Sequence, residues 1–359
     1  MKIQLGWSTF MLLAALYMGE DAMAQALRPP VLDQPSIINP RASQGVMLSI
    51  TRAGERLVAV GERGQILLSD DSGHSWVQAS VPANVALTAV QFIDQQQGWA
   101  VGHLGVVLHT QDAGQTWEKQ LDGMQIGQLY LSQAQGSAEA VRERLLKDAQ
   151  RLVEDGADKP LLDVFFSDSQ NGFVVGAYNL FLRTYDGGKT WTPWSQAIAN
   201  PQAYHLNSLL QSGGSLYIAG ERGLLLRSRD NGNSFQPIDF PYDGSLFGIV
   251  ASLHGELVAY GLRGTAFWSA DQGNSWQRIE TTLDSAFSSA TALADGSLLL
   301  ATQTGDLLVN APGSPQFKPV PEARGVSTAA VAMSPAGEVV IAGLNGLVRE
   351  GLGASASAR

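Results

Sequence analysis

The sequence predicts an all-β fold, a seven-bladed β-propeller with one helical insertion between blades 2 and 3, and three observations predict it. First, a Gly-x-x-Gly turn or a close variant begins at Gly61, Gly102, Gly176, Gly220, Gly261, Thr302 and Gly343, with four of the six intervals 41 residues long, one 44 and one 74. A step of about 40 to 45 residues is that of a propeller blade. Second, an aromatic residue follows fifteen positions after the start of each of the first six units, at Trp76, Trp117, Trp191, Phe235, Trp276 and Phe317. Third, the chain is 45% hydrophobic but only 16% charged and carries 39 Gly, a balance suited to short buried strands joined by tight turns.

Within a unit, Leu57-Val58-Ala59-Val60 before the first turn and Gln65-Ile66-Leu67-Leu68 after it read as strands, being apolar and bounded by turn residues. The aromatic residue closes a second turn. Ser69-Asp70-Asp71-Ser72-Gly73-His74-Ser75-Trp76 recurs as Thr110 to Trp117, Thr184 to Trp191, Ser228 to Phe235 and Ser269 to Trp276, each matching Ser/Thr-x-Asp-x-Gly-x-Ser/Thr-aromatic, the Asp-box. Its chemistry is architectural. Asp71, Asp112, Asp186, Asp230 and Asp271 are expected to accept backbone N–H bonds across their turns, and Trp76, Trp117, Trp191, Phe235 and Trp276 to pack between blades. The sixth copy is degenerate, with Pro312 at the Asp position.

The propeller domain is expected to span 25–350, with 351–359 a flexible tail. The seventh unit lacks an outer strand after Val348. Residues 31–39 belong to no unit and are expected to supply it, closing the ring. The long interval holds about 33 extra residues within 123–159. They read as a helix with Ser137 as N-cap, with Val141, Leu145, Ala149, Leu152 and Val153 on one face and a stop at Gly156 and Pro160. Glu143 and Lys147 are spaced as an ion pair on the other face. The apolar stripe is expected to dock on the propeller, on the side of the Gly-x-x-Gly turns and opposite the Asp-boxes.

Residues 1–24 read as a cleavable signal peptide: Lys2, an apolar run from Leu5 to Met18, then Ala22-Met23-Ala24. A periplasmic monomer that does not itself span the membrane is expected. With 23 Lys and Arg against 33 Asp and Glu, the formal charge is −10, which argues against nucleic acid as a partner. The absence of Cys removes disulfides and thiolate metal sites, and the five histidines lack metal-ligand spacing. No nucleophile turn or phosphate-cradling loop is present, so no catalytic residue, metal or cofactor is assigned.

The third position of the Gly-x-x-Gly turns carries Arg63, Leu104, Tyr178, Arg222, Arg263, Thr304 and Asn345. Arg63, Arg222 and Arg263, with Tyr178, are the candidate partner-binding residues. A guanidinium there suits a carboxylate or a backbone carbonyl; pairing with Glu62 or Glu221 is the competing reading.

The units resemble those of the photosystem II stability and assembly factor family, exported seven-bladed Asp-box propellers with an arginine patch on one face. The resemblance rests on Gln97-Gly98-Trp99-Ala100-Val101-Gly102 and Asn171-Gly172-Phe173-Val174-Val175-Gly176, each followed by an Asp-box. It implies a propeller that is not an enzyme and that binds newly made membrane proteins during assembly. By position the patch carries over to Arg63, Arg222 and Arg263, while Leu104 and Thr304 depart from it. Nothing in the sequence marks a photosynthetic host. The implied partner is therefore a membrane protein or membrane-complex subunit on its periplasmic side, such as part of a transporter. The alternative is an Asp-box glycoside hydrolase or glycan-binding propeller. The Phe-Arg-Ile-Pro phrase of sialidases is absent, and xyloglucanases resemble two such propellers in tandem, whereas this chain holds one.

Overall fold

The computed structural model describes residues 28–321 and 325–351. The expected signal peptide, 1–24, and the expected tail beyond Gly351 lie outside the described residues. Seven antiparallel sheets surround a common axis. Blade 1 runs outward through Met47–Ala53, Arg56–Gly61, Ile66–Ser69 and Val77–Gln78. Blades of four strands follow over 87–121, 161–193, 206–237, 246–278 and 287–319, and a blade of three over 330–350. The first strands adjoin one another around the ring, and that of blade 7 adjoins that of blade 1. Second strands such as Gly98–Gly102 and Gly172–Gly176 are buried throughout, covered on both faces by neighbouring blades. That explains their unbroken apolar sequences.

A β-bulge recurs where the first strand meets the end of the second, between Met47 and Ser49, Leu87 and Ala89, Leu206 and Ser208, Leu246 and Gly248, and Phe287 and Ser289. The bulged residue is turned out of its own ladder. In alternate blades its side chain reaches the next blade instead. Thr88 Oγ1 donates to the Leu161 carbonyl at 2.7 Å, Asn207 Nδ2 to Leu246 at 2.8 Å and Ser288 Oγ to Thr328 at 2.8 Å. Apolar clusters fill the space between blades; the one joining blades 7 and 1 packs Ile50, Leu57 and Leu67 against Ala332 and Val340.

The expected closing strand at 31–39 is not a strand. Pro30–Leu32 is a single 3-10 turn, and the segment lies against blades 1 and 2 as a strap. Four prolines between positions 29 and 40 oppose a paired strand. Leu32 is driven into the core between blades 1 and 2. The Ser36 N–H donates to Val81 O at 2.9 Å, Asn84 N–H donates to Val31 O at 2.8 Å, and the Gln78 side chain brackets Ser36, Ile37 and Asn39. Blade 7 keeps three strands, and the ring closes by packing. Arg349 chelates Glu338 within blade 7 at 2.7 Å and reaches across that seam to His74 Nδ1 at 2.5 Å.

The insertion between blades 2 and 3 is a helical hairpin rather than one helix: α1 at Gly123–Gln135 and α2 at Glu139–Asp155. Asp122 and Gln125 form a reciprocal capping box that starts α1. Helix α1 lies along blade 3, where its Tyr130 hydroxyl contacts both the N–H and the carbonyl of Phe181 at 3.1 Å and Gln133 donates to Pro193 O at 2.7 Å. Ser137 does not cap α2; its hydroxyl donates back to Gln133 O, and Ala138 occupies the N-cap position. Ala149 is buried, while Val141, Leu145, Leu152 and Val153 are half-buried. The ion pairs within α2 are Arg144–Asp148 and Arg151–Asp155, not Glu143–Lys147.

Candidate functional site

The face that carries the Gly-x-x-Gly turns is built by backbone geometry that only certain residues permit. Gly61 is extended, but a Cβ there would lie 2.1 Å from the Val46 carbonyl oxygen. Gly64 has φ +69°, and a Cβ there would lie 2.0 Å from the Ala83 carbonyl oxygen of the connection to the next blade. Between the two glycines the third residue is forced into the left-handed region: Arg63 at φ 56°, Leu104 at 57°, Tyr178 at 54°, Arg222 at 55° and Arg263 at 55°. For a residue with a Cβ this costs about 1–2 kcal/mol each. The repeated conformation holds five side chains at equivalent positions around one face.

Arg63, Arg222 and Arg263 are exposed, and none has an ion-pair or hydrogen-bond partner among the described residues. Glu221, the nearest competitor for Arg222, is instead taken by His205, which donates to it from its backbone N–H at 2.9 Å and sits with Nδ1 at 2.6 Å. Tyr178 is 60% exposed, with its ring 4.8 Å from that of His205 and Lys159 Nζ 5.1 Å above it. Leu104 is half-buried beneath the start of α1. The Thr304 hydroxyl is tied to Asp306 at 2.8 Å. Arg222 and Arg263 thus stand on adjacent blades with Tyr178 beside them on blade 3, while Arg63 is separated from them by the Leu104 turn and the hairpin. An open groove runs from Arg222 along Ile238, Phe240 and Tyr242, with Asp239 and Asp243 at its rim.

The Asp-boxes occupy the opposite face. In the first, Asp71 accepts from Ser69 Oγ and the Ser75 N–H at 2.8 Å each, and from Ser75 Oγ at 2.5 Å. Asp112, Asp186, Asp230 and Asp271 repeat these bonds. The Ser228 hydroxyl, with those from Ser234, holds Asp230 down at about 2, and the bonds from Ser275 hold Asp271 at about 2. These carboxylates are occupied by their own turns. Trp117, Trp191 and Phe235 are buried between blades, and Trp76 and Trp276 are half-buried.

Two features escaped the sequence. Arg183, beside the third Asp-box, is 6% exposed, stacked among Phe173, Tyr185 and Trp194, and bonded to Asn233 Oδ1 at 2.9 Å. Asp122, 1% exposed, meets Arg28 Nη2 at 2.6 Å and Lys119 Nζ at 3.4 Å, tying the strap to the first helix. The Asp122-x-x-Gln125 spacing was the available signal for that helix. Among the described residues no group of three or more His, Asp or Glu is arranged to hold a metal ion, and no helix is long and apolar enough to cross a membrane.

Fold and face together define a class: an Asp-box propeller whose turn face, rather than its boxes, offers unpaired polar groups. The profile of the family described as Photosynthesis system II assembly factor YCF48 matches residues 47–143 and 142–277. That is more than half of the chain, and the chain belongs to this family. It is 36% identical over 74 residues to the photosystem II assembly lipoprotein Ycf48 of Synechococcus sp. (strain CC9902), covering 21% of this chain and 22% of that protein. It is 24% identical over 212 residues to the chloroplastic photosystem II stability/assembly factor HCF136 of Oryza sativa subsp. japonica, covering 49% and 50%. The chain thus spans about half or less of the length of these two relatives. A solved structure, YCF48 bound to D1 peptide, superposes with a TM-score of 0.63 at 15% identity over 89% of this chain and 96% of that one. The GH74 enzyme of Niastella koreensis superposes with 0.62 at 14% identity over 88% and 53%. At such identities the two superpositions show the shared fold.

Proposed function

We propose that this chain is an exported, monomeric and non-enzymatic scaffold that holds an extended segment of a membrane-complex subunit on its turn face while the complex assembles. The observation that carries the reading is the set of unpaired, exposed guanidinium groups of Arg63, Arg222 and Arg263, each displayed from a left-handed turn position. Planar donors held without a partner suit carboxylates and carbonyls of a client chain. Family membership and the D1 peptide bound by YCF48 support a membrane-protein client. The periplasmic location rests on the signal-like residues 1–24.

The test is affinity capture from detergent-solubilised envelope, comparing the native chain with an Arg222→Glu/Arg263→Glu variant. The variant should remain folded and lose a membrane subunit that the native chain retains. Equal capture by both at the same salt would contradict the reading. Cleavage of sialosides or β-glucans by the purified protein would favour the hydrolase alternative.

A further inference from the structure

The strap crosses blade 1 beside Arg63, and the two enclose a second groove on the rim of the turn face. Ile37, Ile38, Asn39, Arg63, Gln65 and Asn84 line it. Its chemistry is divided. Ile37 and Ile38 are 73% and 65% exposed, consecutive aliphatic side chains held in water although their backbone is fixed by Gln78. Arg63 brings a guanidinium with no partner among the described residues. Gln65, which also lines the groove, is 5% exposed.

We propose that this groove is a specificity pocket for an extended polypeptide segment in which an aliphatic residue stands next to a carboxylate. The aliphatic side chain packs on Ile37 and Ile38, and the carboxylate meets Arg63. Each liability of the groove is met by one part of such a segment, and a purely acidic or purely apolar ligand meets only some of them. The inference rests on the scaffold reading and adds what it lacks, a choice among client sequences, made where the strap meets the turn of the first repeat. Arg222 and Arg263 contribute nothing to this pocket, so the two can fail separately.

The test uses the whole mature chain and a fluorescein-labelled extended peptide containing a Leu-Glu step, with Ser-Glu and Leu-Gln counterparts, read by fluorescence anisotropy. The native chain should prefer the Leu-Glu peptide over Ser-Glu by about tenfold, the size of one buried aliphatic side chain. An Ile37→Ser/Ile38→Ser variant, altered only at exposed positions, should lose that preference while keeping the difference between Leu-Glu and Leu-Gln. Arg63→Gln should do the reverse. Unchanged preference in the isoleucine variant, or no binding of any peptide up to about 1 mM, overturns the pocket. The scaffold reading then still stands or falls on capture through Arg222 and Arg263.

Discussion

The Asp163 carboxylate of blade 3 accepts the backbone N–H of Leu209 in blade 4 at 2.7 Å, joining two blades at the innermost ring. It also accepts the Val164 N–H at 2.8 Å. Burial outweighs these bonds and pushes its carboxyl from the ordinary 3.8 up to about 6. Because the folded value is the higher one, its protonated form favours the fold. That contribution is complete below about pH 4 and is lost as the pH rises through about 6. Asp163→Asn removes the titration. From about pH 4 to pH 8 the stability of the variant relative to the native chain should therefore rise by about 2–3 kcal/mol, as read from urea unfolding midpoints. A pH-independent difference would show that the carboxylate is solvated.

Trp117 tests the Asp-box side. It is 6% exposed, edge-on to Phe92 at 6.0 Å, and its indole N–H donates to Gly114 O at 2.9 Å. Trp117→Ala should cost about 3–5 kcal/mol through the cavity left between blades 1 and 2. The melting temperature checks it; an unchanged value would contradict the packing described.

How much of this was legible follows from which contacts are local. The repeat, the Asp-boxes and the turn residues are encoded within single units, so period and register disclosed blades and faces alike. The strap was not legible: residues 31–39 read as a strand, yet Leu32 enters the core with Val31 packed beside it, Ile37 and Ile38 stay in water, and the prolines and Gln78 fix the path. Arg28 and Asp122 lie 94 positions apart, and nothing periodic announces their pairing. The arginine positions were visible, but their freedom was not: Glu221 stood as the competing partner for Arg222 until the fold gave it to His205.

The Arg28–Asp122 pair yields a prediction about coupling. Asp122 caps α1 and neutralises Arg28, so Asp122→Ala should cost about 3 kcal/mol from the lost cap and the unpaired partner. By hydrogen exchange, the strap and α1 should lose protection together while blades 4 to 6 keep theirs. Loosening of α1 alone would show the strap to be anchored elsewhere.

Glycine substitutions separate backbone strain from collision. Gly337 has φ +81° and open space, so Gly337→Ala should cost about 1 kcal/mol. Gly64→Ala meets both the left-handed backbone and the Ala83 carbonyl and should be clearly the more damaging of the two by thermal unfolding. Equal costs would contradict the tight turn-to-connection contact.

The central claim is that clients dock on the turn face, and two exposed tyrosines test it most directly. Tyr178, 60% exposed, lies on that face, and Tyr185, 52% exposed, lies in an Asp-box on the other. Each is replaced in turn by a photocrosslinking phenylalanine analogue, and the protein is irradiated in intact envelope and its adducts identified by mass spectrometry. The account predicts an adduct with a membrane-complex subunit from position 178 and none from position 185. Crosslinking from position 185 alone, or from neither, would contradict it.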